Sequence, residues 1–285
     1  MTRPDSFGRD YLLGEFDKLS AELSSPLTIL VIGGAAMIFY GLKATTKDID
    51  VALLEPQQVD ILVTALRSLS YCTPDSDMIT APYKEMAAQQ IIENEDGFRW
   101  DIFMRTVSNA LTVSDGMLAR ATSLYHTGDL AVRIASKQDL FLLKSVTERE
   151  TDLDDMRFLA ESGLDWTIVE NECQHQSAQS GRLWENALYS RLLDLKDLYG
   201  IQSPIERSLR HTIEEKLMFL SLKQEIARGN NTIKRISEAL NESQNSIRKA
   251  VRLYEEKGLL LGDRTRRRYT ITIAQRLGPQ EDQSP

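Results

Sequence analysis

Apolar positions near the start of the chain fall into two rhythms, short unbroken runs and stretches that recur every three or four residues. Residues 11–23 carry Leu12, Phe16, Leu19 and Leu23 at helical spacing, and Pro26 closes that helix. Leu27–Ile32 is nearly continuous apolar sequence, the pattern of a strand buried on both faces. Gly33-Gly34 then turns the chain into a short helix, Ala35–Leu42, and Asp48–Leu54 reads as a second strand. Residues 56–69 form an amphipathic helix with Pro56 in its first turn and Val59, Leu62, Leu66 and Leu69 inward. A hairpin follows, its arms Ala88–Ile92 and Phe98–Met104 flanking the turn Asn94-Glu95-Asp96-Gly97. In its second arm Phe98, Trp100, Ile102 and Met104 share one face, and Arg99, Asp101 and Phe103 the other.

The helical rhythm dominates further on. Residues 130–135 make one more strand. Ser136 with Asp139 resembles a capping box for a helix to about Val146, and Thr151 with Asp154 repeats the device for a helix to Glu161, stopped by Gly163. Residues 165–200 read as helical, with Trp166, Ile168 and Val169 and then Leu183, Trp184, Leu188, Leu192 and Leu195 as apolar positions. Gly200 to Pro204 is the best linker. Beyond it the pattern gives a helix over 206–228 and a helix pair over 232–240 and 243–257, joined by Asn241-Glu242. Two β-like arms, Leu259–Leu261 and Tyr269–Ile273, then flank a charged tip at Asp263–Arg268, and residues 277–285 read as a disordered tail.

Composition narrows the class. The 285 residues are 42% hydrophobic and 27% charged, which suits a globular chain of about two domains. The two cysteines, Cys72 and Cys173, match no metal spacing and suggest a reducing compartment. The start, MTRPDSFGRD, lacks an apolar signal region, and the longest uncharged run, Leu27–Leu42, falls short of the ~18 residues of a membrane span. A cytoplasmic protein without membrane contact is expected. The net charge of −8 argues against a general nucleic-acid coat protein. Residues 231–276 are nevertheless basic by about six charges, which points to a nucleic-acid-facing tail domain.

Candidate chemistry centres on Val31–Leu54. Asp48 and Asp50 lie two apart on a strand, so both face one side and Ile49 and Val51 the other. Transfer of a nucleotide needs a grip on a triphosphate, metal ions at the α-phosphate and leaving pyrophosphate, and a carboxylate to activate the acceptor hydroxyl. Gly33 and Gly34 suit the grip, because without a Cβ the backbone can approach phosphate closely. Asp48 and Asp50 suit Mg2+, two ions being expected during catalysis, and Asp101 suits the third task. Glycine pairs are usually plain turns, and Asp-x-Asp is usually a solvated strand face. The combination, strand, glycines, helix, strand and a later Asp, is what favours a nucleotide site. His126, His175 and His211 have no metal spacing or nucleophile partner.

Residues 31–54 resemble the signature of the polymerase-beta-type nucleotidyltransferase superfamily, here Ile32-Gly33-Gly34, a spacer Ala35–Lys47, and Asp48-Ile49-Asp50. With the segment ASKQDLFLLKSVTERETDLDDMRFL, the chain is similar to AbiEii-type toxins and related prokaryotic nucleotidyltransferases. Lys144, Arg149, Asp152 and Asp155 match positions of that family, although Glu150-Thr151 departs from it. The resemblance, over about residues 25–165, implies an α/β (α+β) core with a mixed sheet. As a point charge, Lys144 suits the β- or γ-phosphate and Arg149 adds to it, with Asp152 and Asp155 orienting those cations rather than binding metal. Two capped helices with exposed ion pairs are the plainer alternative. The organisation expected is a transferase core at 1–135, a helical domain completing the nucleotide site at 136–203, and a second domain at 204–276.

That second domain resembles a winged helix-turn-helix. In such a domain Ser243, Gln244, Asn245, Arg248 and Lys249 would enter a DNA groove, and Arg264, Arg266, Arg267 and Arg268 would form a basic wing. Packing or dimerisation through the same fold is the alternative. The first expectation for function is a Mg2+-dependent enzyme moving a nucleoside monophosphate from a triphosphate to a hydroxyl of tRNA or protein, with a small antitoxin partner if it is a toxin. The rivals are a DNA-binding regulator whose transferase fold is inactive or senses nucleotide, and a small-molecule transferase of antibiotic-resistance type.

Overall fold

The computed structural model describes residues 6–74, 88–147, 149–265 and 268–274. The chain divides into two compact units, Met1–Glu206 and Arg207–Pro285. Residues 136–203 fall within the first unit.

The first unit opens with β1 (Phe7–Gly8), α1 (Arg9–Glu22), β2 (Leu27–Ile32), α2 (Gly33–Phe39), β3 (Thr45–Thr46), β4 (Asp48–Leu53) and α3 (Pro56–Ser68). It continues with β5 (Gln90–Glu93), β6 (Arg99–Met104), β7 (Thr106–Val107), β8 (Leu111–Thr112), α4 (Asp115–Arg120), β9 (Thr122–Thr127) and β10 (Leu130–Ile134). Six strands form one mixed sheet in the order β5-β6-β4-β2-β10-β9. β4 runs parallel to β6 and antiparallel to β2, while β2 runs parallel to β10. The continuous apolar run in β2 follows from its central place, with Ile29, Val31 and Ile32 buried. One face of the sheet lies under α1 and α3, where Phe16 meets Trp100 edge-on at 6.2 Å.

Four helices complete the unit: α5 (Lys137–Ser145), α6 (Glu150–Glu161), α7 (Trp166–Ser180) and α8 (Trp184–Tyr199). Ser136 caps α5 as its sequence predicts, its Oγ accepting from Asp139 N at 3.2 Å. The second expected cap is not made. α6 begins at Glu150 with Arg149 as N-cap and no side-chain cap, so Thr151 already lies inside the helix. The local charge pairing explains the shift, because Asp152 Oδ2 accepts from Arg149 Nε at 3.0 Å and fixes that turn instead. The glycine turn also differs, since Gly33 and Gly34 form the first residues of α2 and the helix ends at Phe39. Gly33 sits at φ +63°, a conformation open to glycine without penalty.

In the second unit α9 (Glu206–Ala227, whose first residue belongs to the first unit), α10 (Ile233–Leu240) and α11 (Gln244–Glu256) precede an antiparallel pair, β11 (Leu260–Thr265) and β12 (Arg268–Ile273). Leu222, Ile236, Ile247, Val251, Tyr254, Leu260 and Ile271 form its core. Asn241 stands at φ 52° and ψ 39° between α10 and α11, the left-handed turn that an asparagine tolerates where glycine is usual. The expected tail at 277–285 lies outside the described residues. Among the described residues no helix is long and apolar enough to cross a membrane.

Candidate active site

Strand register decides what meets here. β4 and β6 are parallel, with Asp50 opposite Asp101 and Asp48 opposite Arg99. Period-2 alternation then puts Asp48, Asp50, Arg99 and Asp101 on one face. β2 delivers Gly33 to the same place, since Ile32 pairs with Asp50. A Cβ on Gly33 would stand 2.0 Å from Asp50 Oδ2, so the absence of a side chain is what lets the carboxylate lie against the turn. Gly34 is roomier, its imagined Cβ being 3.0 Å from Thr46 Oγ1.

Asp101 is wholly buried, and neither of its oxygens accepts a hydrogen bond among the described residues. Burial, then repulsion from Asp50 and Asp48, pushes its carboxyl up to about 8. Asp50 is raised to about 7, chiefly by burial and next by the charge of Asp48, with Lys144 and Arg149 opposing. Arg99 partly compensates, its Nη2 standing 3.8 Å from Asp48 Oδ2. Side-by-side carboxylates, one buried and two half-buried, gain from an added cation. They do not close into a cage, because among the described residues no three His, Cys, Asp or Glu side chains are grouped to hold a metal ion. Any ion here would therefore draw further ligands from a substrate, as Mg2+ commonly does.

Across from the carboxylates, α5 and α6 carry a compact charge cluster. Lys144 Nζ, mostly buried, contacts Asp152 Oδ1 at 2.6 Å and Asp155 Oδ2 at 2.8 Å. Lys43 Nζ reaches Asp155 Oδ1 at 2.8 Å, and Thr147 Oγ1 donates to Asp152 Oδ2. Burial works against the charge on Lys144, but the two carboxylates prevail and its pKa is raised. Asp152 is likewise held ionised, its pKa lowered by Lys144, Thr147 and Arg149 against the cost of burial. Asp152 and Asp155 are both buried, whereas their partner Arg149 is exposed. Gly33, Asp50, Lys144, Thr147 and Arg149 line one cleft with Ser108 and the apolar Ile32, Phe103, Leu140 and Leu143.

Sequence reasoning missed Lys43, Thr46, Arg99, Ser108 and Thr147. Arg99 was the most accessible of these, because the hairpin pattern already put it on the face of Asp101. The groups expected to touch DNA lie in the second unit. Ser243 caps α11, its Oγ accepting from Ser246 N at 3.0 Å. Gln244, Asn245, Arg248 and Lys249 are exposed on its first turns, and Arg248 donates to Asn245 Oδ1 at 3.0 Å and Gln244 Oε1 at 3.1 Å. Arg264 is exposed on β11 and Arg268 begins β12, while Arg266 and Arg267 lie outside the described residues.

Comparison with known proteins adds one match. A family model described as a nucleotidyltransferase of unknown function (DUF6036) covers residues 12–192, which include the whole carboxylate and cation cluster. A search of curated proteins finds no match.

Proposed function

We propose that this chain, which belongs to the DUF6036 family of nucleotidyltransferases of unknown function, moves a nucleoside monophosphate from a nucleoside triphosphate onto an acceptor hydroxyl. The observation that carries the reading is Asp101, a buried carboxylate with no hydrogen bond among the described residues, set opposite Asp50 beside the glycine turn. A buried carboxyl with no partner is costly in an inert protein and useful where metal ions arrive with a substrate and favour its ionised form.

Asp48, Asp50 and Asp101 offer the oxygen ligands that Mg2+ prefers, and triphosphate oxygens would complete its shell. Two bound Mg2+ ions would neutralise the triphosphate and polarise the α-phosphate. The chain does the rest. The backbone at Gly33 and Gly34 approaches the phosphates closely, and Lys144 and Arg149 hold the β- and γ-phosphates. Asp152 and Asp155 keep those cations charged and aimed, with Lys43 sharing Asp155. The acceptor oxygen attacks the α-phosphorus, the bond to the bridging oxygen breaks, and pyrophosphate leaves. The hydroxyl proton passes to an Asp101 oxygen, which requires the cover over Asp101 to part when substrates enter.

Resemblance to AbiEii-type toxins supports tRNA or protein as acceptor and a role as the toxin of a pair with a small antitoxin, in the cytoplasm. The second unit, three helices and a two-stranded arm, is a winged helix in this reading. It binds nucleic acid through Ser243, Gln244, Asn245, Arg248 and Lys249, with Arg264, Arg266, Arg267 and Arg268 on the phosphates.

The test is incubation with each α-labelled triphosphate, Mg2+, and total tRNA or lysate protein. Label should transfer to one acceptor class and vanish in Asp48→Ala and Asp50→Ala. The enclosure of Asp101 favours a second reading, a DNA-binding regulator with an inactive or nucleotide-sensing transferase fold. That reading predicts no transfer, with salt-sensitive DNA binding that weakens in Arg248→Ala and Lys249→Ala.

A further inference from the structure

Resting on the reading of the carboxylates as a transfer site, we infer that a second cavity beside them takes a nucleoside, the base and ribose of one of the two substrates. The cleft at Asp50, Lys144 and Arg149 has room of only about 30 Å³. Phosphate oxygens and metal ions can enter such a space by small shifts, but a base with its sugar cannot. Pockets for small organic ligands measure about 300–1,000 Å³. A nucleoside joined to those phosphates, or one carrying the attacking hydroxyl, needs a neighbouring space.

Thr147 lines the cleft and also lines a cavity of about 570 Å³. The walls of that cavity come from the end of α5 and the start of α8. Gly181, at φ +70°, ends α7 and turns the chain so that Arg182 and Trp184 reach this wall. The Arg182 guanidinium lies over the Trp184 ring, 5.4 Å from its centroid. Both halves of the pair are fixed, Trp184 Nε1 donating to Ser180 Oγ at 3.0 Å and Arg182 Nη1 to the Asn109 carbonyl at 3.2 Å. Bases stack on aromatic rings and on arginine planes of this kind. Asn186 and Ser190 are exposed four residues apart on α8, so one face offers an amide and a hydroxyl to a base edge or a ribose. Arg191 Nη2 donates to the Thr147 carbonyl at 2.5 Å and ties this wall to the residue both spaces share.

Charge supports the same guest. Among the described residues that line the cavity, two are arginines and none is acidic. A cavity of similar size between α4 and α7 differs, because Asp115 and Glu172 line it and Glu172 holds Arg120 there at 2.6 Å, whereas Asp194, which pairs with Arg191 at 3.3 Å, does not line the cavity beside Thr147.

The experiment has a binding arm and a kinetic arm. Tryptophan fluorescence is followed while each nucleoside triphosphate with Mg2+, and separately total tRNA, is titrated into the full chain. Trp100 is buried and Trp166 packs edge-on against Phe141, so quenching that disappears in Trp184→Phe reports this cavity. The arm that quenches identifies the source, donor or acceptor. In Trp184→Ala the KM for that substrate should rise about 5- to 100-fold, with kcat and the other KM little changed, and Trp184→Phe should restore most of it. Arg182→Ala, at an exposed residue, should raise the same KM without disturbing the fold. Label transfer with both KM values unchanged in Trp184→Ala and Arg182→Ala would overturn the inference while the transfer reading stands. Quenching without transfer to any acceptor would support the cavity and overturn the transfer reading. A KM rise for a protein acceptor alone would overturn the nucleoside.

Discussion

Replacing Asp101 by asparagine should make the metal-free protein more stable, and increasingly so as pH rises. The carboxyl is held at about 8 in the fold, against an ordinary value of 3.8. Between those limits the folded chain keeps a proton that the unfolded chain has released, so wild-type stability falls by about 1.4 kcal/mol per pH unit. Asparagine carries no titrating proton and escapes that slope. From pH 5 to pH 8 the gap should widen by at most about 4 kcal/mol, and by about 2 kcal/mol if water relaxes into the site. At about 2–4 °C per kcal/mol, the melting temperatures should diverge by about 5–15 °C. Thermal unfolding of both proteins in chelator, at each pH unit from 5 to 8, reads this directly. Saturating Mg2+ should then raise the wild-type Tm far more than that of the variant. Parallel pH curves for the two proteins would refute the idea that Asp101 is an uncompensated buried carboxylate.

Other positions give sharp expectations. Gly33→Ala places a Cβ 2.0 Å from Asp50 Oδ2 in a left-handed backbone, and should cost well over about 1–2 kcal/mol in urea unfolding. Gly34→Ala, with a 3.0 Å contact to a hydroxyl, should cost less. Lys144→Met strands the buried Asp152 and Asp155, at about 3 kcal/mol, the low end for a broken buried pair because Lys43 and Arg149 still serve them. Adding Asp152→Asn to it should recover part of the loss. Asn241→Ala should destabilise the second unit by about 1 kcal/mol, while Asn241→Gly should not, as judged by its own melting transition.

The sequence carried the strands of the site plainly, because Asp48-Ile49-Asp50 sits in a period-2 run beside an apolar strand, and a few residues of β4 then fix which side chains share a face. Lys43 was not legible. It stands in a loop, and its partner Asp155 is 112 residues away, a pairing no local pattern encodes. Strand β9 was missed because it is an edge strand, largely exposed, with Ser123 and His126 where apolar alternation would be needed. The cap of α6 was misplaced for a related reason. Thr151 and Asp154 have the right spacing, but the pairing of Asp152 with Arg149, backed by Lys144, sets that turn. Nor could spacing reveal that Asp101 would be closed from solvent, since its strand alternates apolar and polar residues as a half-exposed strand does.

The central claim concerns which phosphorus moves. The most direct test gives the wild-type chain one triphosphate labelled at the α-position and, in parallel, the same triphosphate labelled at the γ-position, with Mg2+ and the acceptor fraction. The account predicts that α-label becomes acceptor-bound, that γ-label leaves as pyrophosphate, and that both signals are lost in Asp50→Ala. Acceptor-bound γ-label, or no acceptor-bound label with any of the four triphosphates, would contradict it.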